Sequence, residues 1–334
     1  MHEFDRILIT GGSGFLGMHL VRFFSQKGFR IRATFNTRKP NDTTTGQVEW
    51  AKVDYISSSQ AWNNLIKDVD CVIHLIGRAH VFKESGQRDL RKFREINVYP
   101  TQALAESCLH SRKIKRFVFI SSVSTVCSSS ILPINELSPC RPETSYGMSK
   151  LEAENLLKET LQDKIRWCIL RPAMIYGPED PGNMRRLIEL VRMGLPLPLA
   201  NVHNARSFLY IGNLLEIMAK VLDHDNAKFK TYLVSDDESI STPELIRMIA
   251  KMLNKKVLIF PFPVVILRLM GKFGSLLEKK MNISIGINAY SVDRLIGSLV
   301  VDNSLIKRDL DLQMPYSFYE GIKQTLSNWR LKAI

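Results

Sequence analysis

Apolar positions in the first half of the chain follow two alternating periods. Short β-rich runs, RILIT, IRATF, CVIHLI, FVFISS and RWCILR, are separated by segments with helical spacing, notably Met18 to Gln26, Phe93 to Cys108 and Ser145 to Leu161. That alternation predicts an α/β fold, a parallel, doubly wound sheet with helices on both faces.

From about Ile175 the pattern loosens. PEDPGN reads as a turn, GLPLPLA is punctuated by proline, and helices are predicted at Leu214 to Leu222 and Pro243 to Leu253. The predicted division is a first domain over 1–175 and a smaller C-terminal lobe over 176–334. A strand in KTYLVSD and a helix over Ile211 to Leu222 make the segment 205–236 return to the first domain. The apolar run from Val257 to Met270 is interrupted by Pro261, Pro263 and Arg268, and falls short of the roughly 20 residues that span a bilayer. It is expected to form a helix buried in the second lobe. The alternative, given Lys272, Lys279 and Lys280 beside it, is weak contact with a membrane surface.

Composition narrows the class. With 334 residues, 45% of them apolar, the chain can build one large core and a second lobe, and is too apolar for disorder. Its five cysteines are scattered, with no CxxC pair and no zinc-ligand spacing, so a reducing compartment and no metal are expected. The start MHEFDRILITGG lacks the regions of an export signal, so a location in the cytoplasm, or peripheral to the inner face of the membrane, is expected. A net charge of +13 suits an anionic substrate, an acidic membrane or nucleic acid alike. The basic clusters at Arg88 to Arg94 and Arg112 to Arg116 lack interleaved aromatics, so they read as solvated helix faces and nucleic acid is not expected as a partner.

The strand RILIT runs into Gly11-Gly12-Ser13-Gly14-Phe15-Leu16-Gly17 and then a helix, the context of a dinucleotide-binding fingerprint. Such a loop needs a tight turn and a close approach of backbone to pyrophosphate, with N–H groups and a positive dipole end at the helix start. The first domain is therefore predicted to be of Rossmann type, with Gly11, Gly14, Phe15, Leu16 and Gly17 at the cofactor. The second strand ends Arg32-Ala33-Thr34-Phe35-Asn36-Thr37-Arg38-Lys39, with no carboxylate for a ribose. That absence, with Arg38 placed for a 2′-phosphate, favours NADP(H), with NAD(H) as the alternative.

Tyr146 and Lys150 stand one turn apart at the start of a helical segment, so phenol and ammonium share one face. A phenol is a poor proton donor and acceptor at neutral pH, and a nearby ammonium favours the phenolate. Upstream, the strand FVFISSVSTV ends in three hydroxyls, Ser121, Ser122 and Ser124. One of them can polarise a substrate oxygen, while the others satisfy backbone at the strand end.

These residues resemble the extended short-chain dehydrogenase/reductases, the NAD-dependent epimerase/dehydratase family that acts on nucleotide sugars. The likeness runs through TGGSGFLG (Thr10 to Gly17), Asp54, HLIG (His74 to Gly77), Asn97, the Tyr146–Lys150 pair and RPAMIYGP (Arg171 to Pro178). The resemblance implies Asp54 beside the adenine, Ser122 as the active hydroxyl with Ser124 near the substrate, and Asn183 and Arg206 in the substrate lobe, the arginine paired with a nucleotide diphosphate. Two departures stand out: VSTVCSS replaces the common VYG ending, and Ser207 stands where an acid usually follows the arginine. GLPLPLANVHNARS and YLVSDDESISTPELIR are similar to a bacterial surface-polysaccharide branch. That branch implies a UDP-linked sugar as substrate and a homodimer through helices near Phe93 and Tyr146. Its two activities are reduction of a 4-keto-6-deoxy-N-acetylhexosamine, which the NADP(H) reading favours, and 4-epimerisation of a UDP-hexose. The reading from another class is a non-catalytic nicotinamide sensor on the same fold.

Overall fold

The computed structural model describes residues 4–41, 48–54, 59–78, 87–281 and 288–331, with the side chains of 59, 87–89 (Arg88 among them), 279–280 (Lys279 and Lys280), 290 and 328–331 outside the described part. The first half alternates β1 (Arg6–Thr10), α1 (Phe15–Gln26), β2 (Arg30–Phe35), β3 (Val48–Lys52), α2 (Ser59–Ile66) and β4 (Cys71–His74). It continues through α3 (Gln87–Asn97), α4 (Tyr99–His110), β5 (Arg116–Ile120), α5 (Ser145–Leu161) and β6 (Arg166–Pro172). β4 and β5 are buried at every position, which is why they read as unbroken apolar runs. β3 was not anticipated: it lies at the edge of the sheet and is only half-buried, so VEWAK carries too little apolar signal.

The single helix predicted over Phe93 to Cys108 is two. α3 ends at Asn97, and Pro100 lies in the first turn of α4, where its missing N–H leaves no helical bond unmade.

The second half contains β7 (Met174–Tyr176), α6 (Asn183–Arg192), β8 (Arg206–Tyr210), α7 (Ile211–Asp223), β9 (Lys230–Val234), β10 (Ser239–Ile240) and α8 (Thr242–Met252). It closes with α9 (Val264–Met281), α10 (Ala289–Ile296), α11 (Ser304–Asp309) and α12 (Phe318–Leu331). The main sheet is parallel, in the order β3-β2-β1-β4-β5-β6-β9, and a small sheet runs β10-β8-β7. β9 thus crosses back to pair with β6, with Leu170 opposite Tyr232. Strand order reverses between β1 and β4, which leaves a crevice at the carboxyl ends of the strands.

One apolar core joins the sheet to α1 and α7, and a second fills the opposite face beneath α2, α4 and α5. A third, including Tyr176, Ile188, Phe208, Ile246 and Phe318, holds the small sheet to α6, α8 and α12. The expectation of a buried helix from the run beginning at Val257 is corrected. α9 buries only the stripe through Leu267, Gly271, Gly274 and Glu278, and leaves Val265, Leu269, Phe273 and Leu276 exposed. Among the described residues no helix is long and apolar enough to cross a membrane.

Candidate active site

The loop between β1 and α1 is built by close backbone approach. Gly11 has a φ of +69° and lies against the Leu75–Ile76 backbone, and its N–H donates to Thr34 Oγ1 at 3.0 Å. The Gly14 N–H donates back to the Gly11 carbonyl at 3.0 Å, closing the turn. A Cβ on Gly17 would overlap that same carbonyl, so the first turn of α1 can pack on the loop only with glycine there. No side chain caps α1. Its first N–H groups and positive end therefore suit a pyrophosphate, and the loop fits a dinucleotide.

The start of α5 is fixed by Thr144, whose hydroxyl accepts from the Gly147 N–H at 3.0 Å. Gly147 lies so close to the Ser124 carbonyl that a Cβ would collide with it, which docks the first turn of α5 on the turn carrying Ser122 and Ser124. Tyr146 is half-buried there, its ring 6.1 Å from that of Phe93. Lys150, one turn on, is buried; its Nζ donates to the Ile120 carbonyl at 2.9 Å and lies 4.5 Å from the Phe119 ring centroid. Burial pushes its pKa down to about 7, against the opposing pull of the Glu154 carboxylate. Gly77 faces this ammonium, and a Cβ there would stand 3.0 Å from Nζ. Tyr146 and Lys150 leave α5 one turn apart on the same face, so a phenol and an amine of near-neutral pKa share one side of the helix, an arrangement suited to proton transfer near pH 7.

The three serines separate. Ser121 is buried and its hydroxyl donates to Glu154, which is clamped in turn by Arg171, so Ser121 is committed to the core. The Ser122 oxygen accepts from the Ser124 N–H at 3.1 Å, a contact that uses a lone pair and not the hydroxyl hydrogen. Ser122 and Ser124 both stay at the site.

Behind Lys150 runs a buried hydrogen-bonded chain that periodicity alone does not reveal. The Thr101 hydroxyl donates to the Asn97 carbonyl at 2.7 Å, so toward His74 Nε2, 2.9 Å away, it must accept. His74 therefore carries its proton on Nε2, and its Nδ1 accepts from the Thr10 hydroxyl at 2.7 Å. The Asn97 amide closes the chain by donating to Ser149 Oγ at 2.8 Å, on the helix of Tyr146 and Lys150. Burial, reinforced by Lys150, pushes the His74 pKa down to about 3. Between the ordinary value of about 6.5 and that value the unfolded chain takes up a proton that the folded one refuses. His74 thus favours folding above about pH 6.5, and that contribution is lost as pH falls toward 3, by up to about 1.4 kcal/mol per unit. The His74 ring-carbon NMR shifts are accordingly expected to stay at their neutral values between pH 7.5 and 5; titration near 6.5 would refute the assigned chain.

In the C-terminal half a cavity of about 150 Å³ is lined by Asn183, Arg206, Phe208, Thr242, Arg294 and Leu295 among others. Arg206 is buried, with Nη1 donating to the Gly297 carbonyl at 2.9 Å. The structure therefore brings Asn183 and Arg206 together, and adds Arg294 and Thr242, which sequence reasoning did not single out. Asp54 and Arg38 are exposed beyond the adjacent carboxyl ends of β3 and β2. The equal spacing of Tyr146, Lys150 and Glu154 was the available signal for the buried carboxylate.

Residues 7–235 match the NAD dependent epimerase/dehydratase family. The chain belongs to that family. It is 34% identical over 324 residues to a UDP-glucose 4-epimerase of Vibrio cholerae, covering 96% of this chain and 94% of the relative. It is 26% identical over 267 residues to a dTDP-4-dehydro-6-deoxyglucose reductase of Escherichia coli, covering 76% and 83%. The fold is that of a UDP-glucuronic acid 4-epimerase from Bacillus cereus solved with NAD, at a TM-score of 0.77 and 20% identity, covering 98% and 100%. As a member of this epimerase/dehydratase family the chain is an NAD(P)-dependent enzyme of the short-chain dehydrogenase/reductase type. The reading as a non-catalytic sensor is set aside.

Proposed function

We propose that the protein transfers hydride at C4 of a UDP-linked sugar, as a cytoplasmic 4-keto reductase of a 6-deoxy-N-acetylhexosamine. Tyr146 moves a proton to or from the C4 oxygen, Lys150 holds the phenolate and a ribose hydroxyl, and Ser122 donates to the same oxygen, with Ser124 beside it. The bound nicotinamide supplies or accepts the hydride. Gly11, Gly14, Phe15, Leu16 and Gly17 hold the pyrophosphate, Asp54 lies at the adenine, and Asn183 and Arg206 hold the nucleotide diphosphate. The division into a cofactor domain over 1–175 and a substrate lobe over 176–334 is part of this reading. So is a homodimer through the helices that carry Phe93 and Tyr146, α3 and α5.

The observation that carries the reductase is the acid-free end of β2, followed by Arg38 exposed in the loop. A reductase must release its coenzyme each cycle, and a 2′-phosphate on that loop suits NADPH. The second reading, a UDP-hexose 4-epimerase that retains NAD, is favoured by the 34% identity to the Vibrio cholerae protein. The deciding experiment adds NADPH or NADH to the purified protein with a UDP-4-keto-6-deoxy sugar. NADPH is expected to bind tighter, and Arg38→Ala to remove about 1–3 kcal/mol of that preference. Protein that emerges with stoichiometric NAD and interconverts UDP-hexoses without added coenzyme is the epimerase instead.

A further inference from the structure

Among the described residues α9 carries an extended apolar face that is left uncovered. α9 packs through Leu267, Gly271, Gly274 and Glu278, with Gly271 set against Ala289 and Val292 of α10. At 3.6 residues per turn the opposite side presents Val265, Ile266, Leu269, Met270, Phe273 and Leu276 over an arc of roughly 140°. These are large side chains and mostly in solvent: Val265 is 66% exposed, Phe273 62% and Leu276 62%. Isolated apolar residues on a surface mean little, whereas a contiguous face of this kind marks an interaction site.

Charge selects the partner. Arg268 and Lys272 fall one turn apart along one border of the apolar arc, both exposed, and among the described residues neither is ion-paired. The whole chain carries +13. A second copy seated on this face would bring its own cationic border and its own excess of positive charge against the first, with no acidic row on α9 to receive them. A helix with an apolar face, a basic flank and too little length to span is instead matched to the plane of an anionic bilayer.

We propose that α9 docks the protein on an anionic lipid surface, its apolar face entering the headgroup boundary and Arg268 and Lys272 lying against acidic headgroups. α9 packs on α10, which contributes Ser291, Arg294 and Leu295 to the cavity, so the docking face and the cavity lie on neighbouring elements. The residues of this face take no part in the chemistry assigned to Tyr146 and Lys150. Docking therefore stands or falls separately from the reaction assigned to the enzyme.

The test is flotation of the full chain with vesicles of phosphatidylcholine alone or of phosphatidylcholine with one-third phosphatidylglycerol, at low and at high salt. Wild-type protein is expected to float with the anionic vesicles at low salt, and binding should fall at least tenfold at high salt or with phosphatidylcholine alone. Leu269→Glu/Phe273→Glu should lose at least tenfold in binding to anionic vesicles while keeping its thermal midpoint and its turnover on a water-soluble substrate. Arg268→Gln/Lys272→Gln should weaken binding less and flatten its salt dependence. No flotation of the wild type at low salt overturns the proposal, as does undiminished binding by the Leu269→Glu/Phe273→Glu variant. A self-association in sedimentation velocity that this variant abolishes, without lipid binding by the wild type, would assign the face to a second copy and also overturn it.

Discussion

Tyr146→Phe is expected to lower turnover by about 10²- to 10⁴-fold, the usual worth of a positioned acid–base group, with cofactor affinity nearly unchanged. Only the phenolic oxygen and its proton are removed. The ring keeps its place beside Phe93, and the helix keeps its cap from Thr144 and its docking through Gly147. Lys150→Ala differs in kind, because it empties a buried position beneath Gly77 and deletes the ammonium proposed to hold both the phenolate and a ribose hydroxyl of the cofactor; it should weaken turnover and binding together. Steady-state kinetics and coenzyme titration by fluorescence separate the two. A Tyr146→Phe enzyme that kept most of its turnover would remove the tyrosine from the proposed chemistry.

Arg171→Ala should produce the largest loss of stability, about 3–5 kcal/mol, because it strands one half of a buried ion pair. Glu154 is fully buried, and Arg171 reaches it through Nη2 at 2.6 Å and through Nε at 3.0 Å. Without the guanidinium the carboxylate keeps the Ser121 hydroxyl and the fields of the Lys150 and Lys158 ammonium groups, in a buried site. A fall of roughly 10 °C in the thermal midpoint is the corresponding scale for a protein of this size. The double variant Arg171→Met/Glu154→Leu is expected to recover much of that loss, since well-packed apolar groups often replace a buried pair without cost. Its turnover should nevertheless stay low or shift with pH, because Glu154 is the carboxylate that supports the Lys150 ammonium. Equal stability of Arg171→Ala and wild type in thermal unfolding would show that the pair is dispensable.

Sequence alone was enough for the parallel sheet, the glycine loop and the Tyr146–Lys150 face, because each rests on local physics. Buried parallel strands need runs of apolar residues, a turn against pyrophosphate needs glycine, and an i, i+4 pair needs only the pitch of a helix. What failed had weak local signal: the half-buried edge strand β3, and the break that Pro100 places between α3 and α4. Tertiary structure alone separated Ser121 from Ser122 and Ser124, because a partner 33 residues away, Glu154, claims the first hydroxyl. The tautomer of His74 likewise depends on Thr10 and Thr101, which arrive from different elements. Arg206 and Arg294 share a cavity only because β8 and α10 are brought together by packing, and no spacing along the chain encodes that meeting. The outward face of α9 was the hardest to foresee: an apolar run specifies that a helix seeks cover, but only the arrangement of its neighbours decides which side receives it.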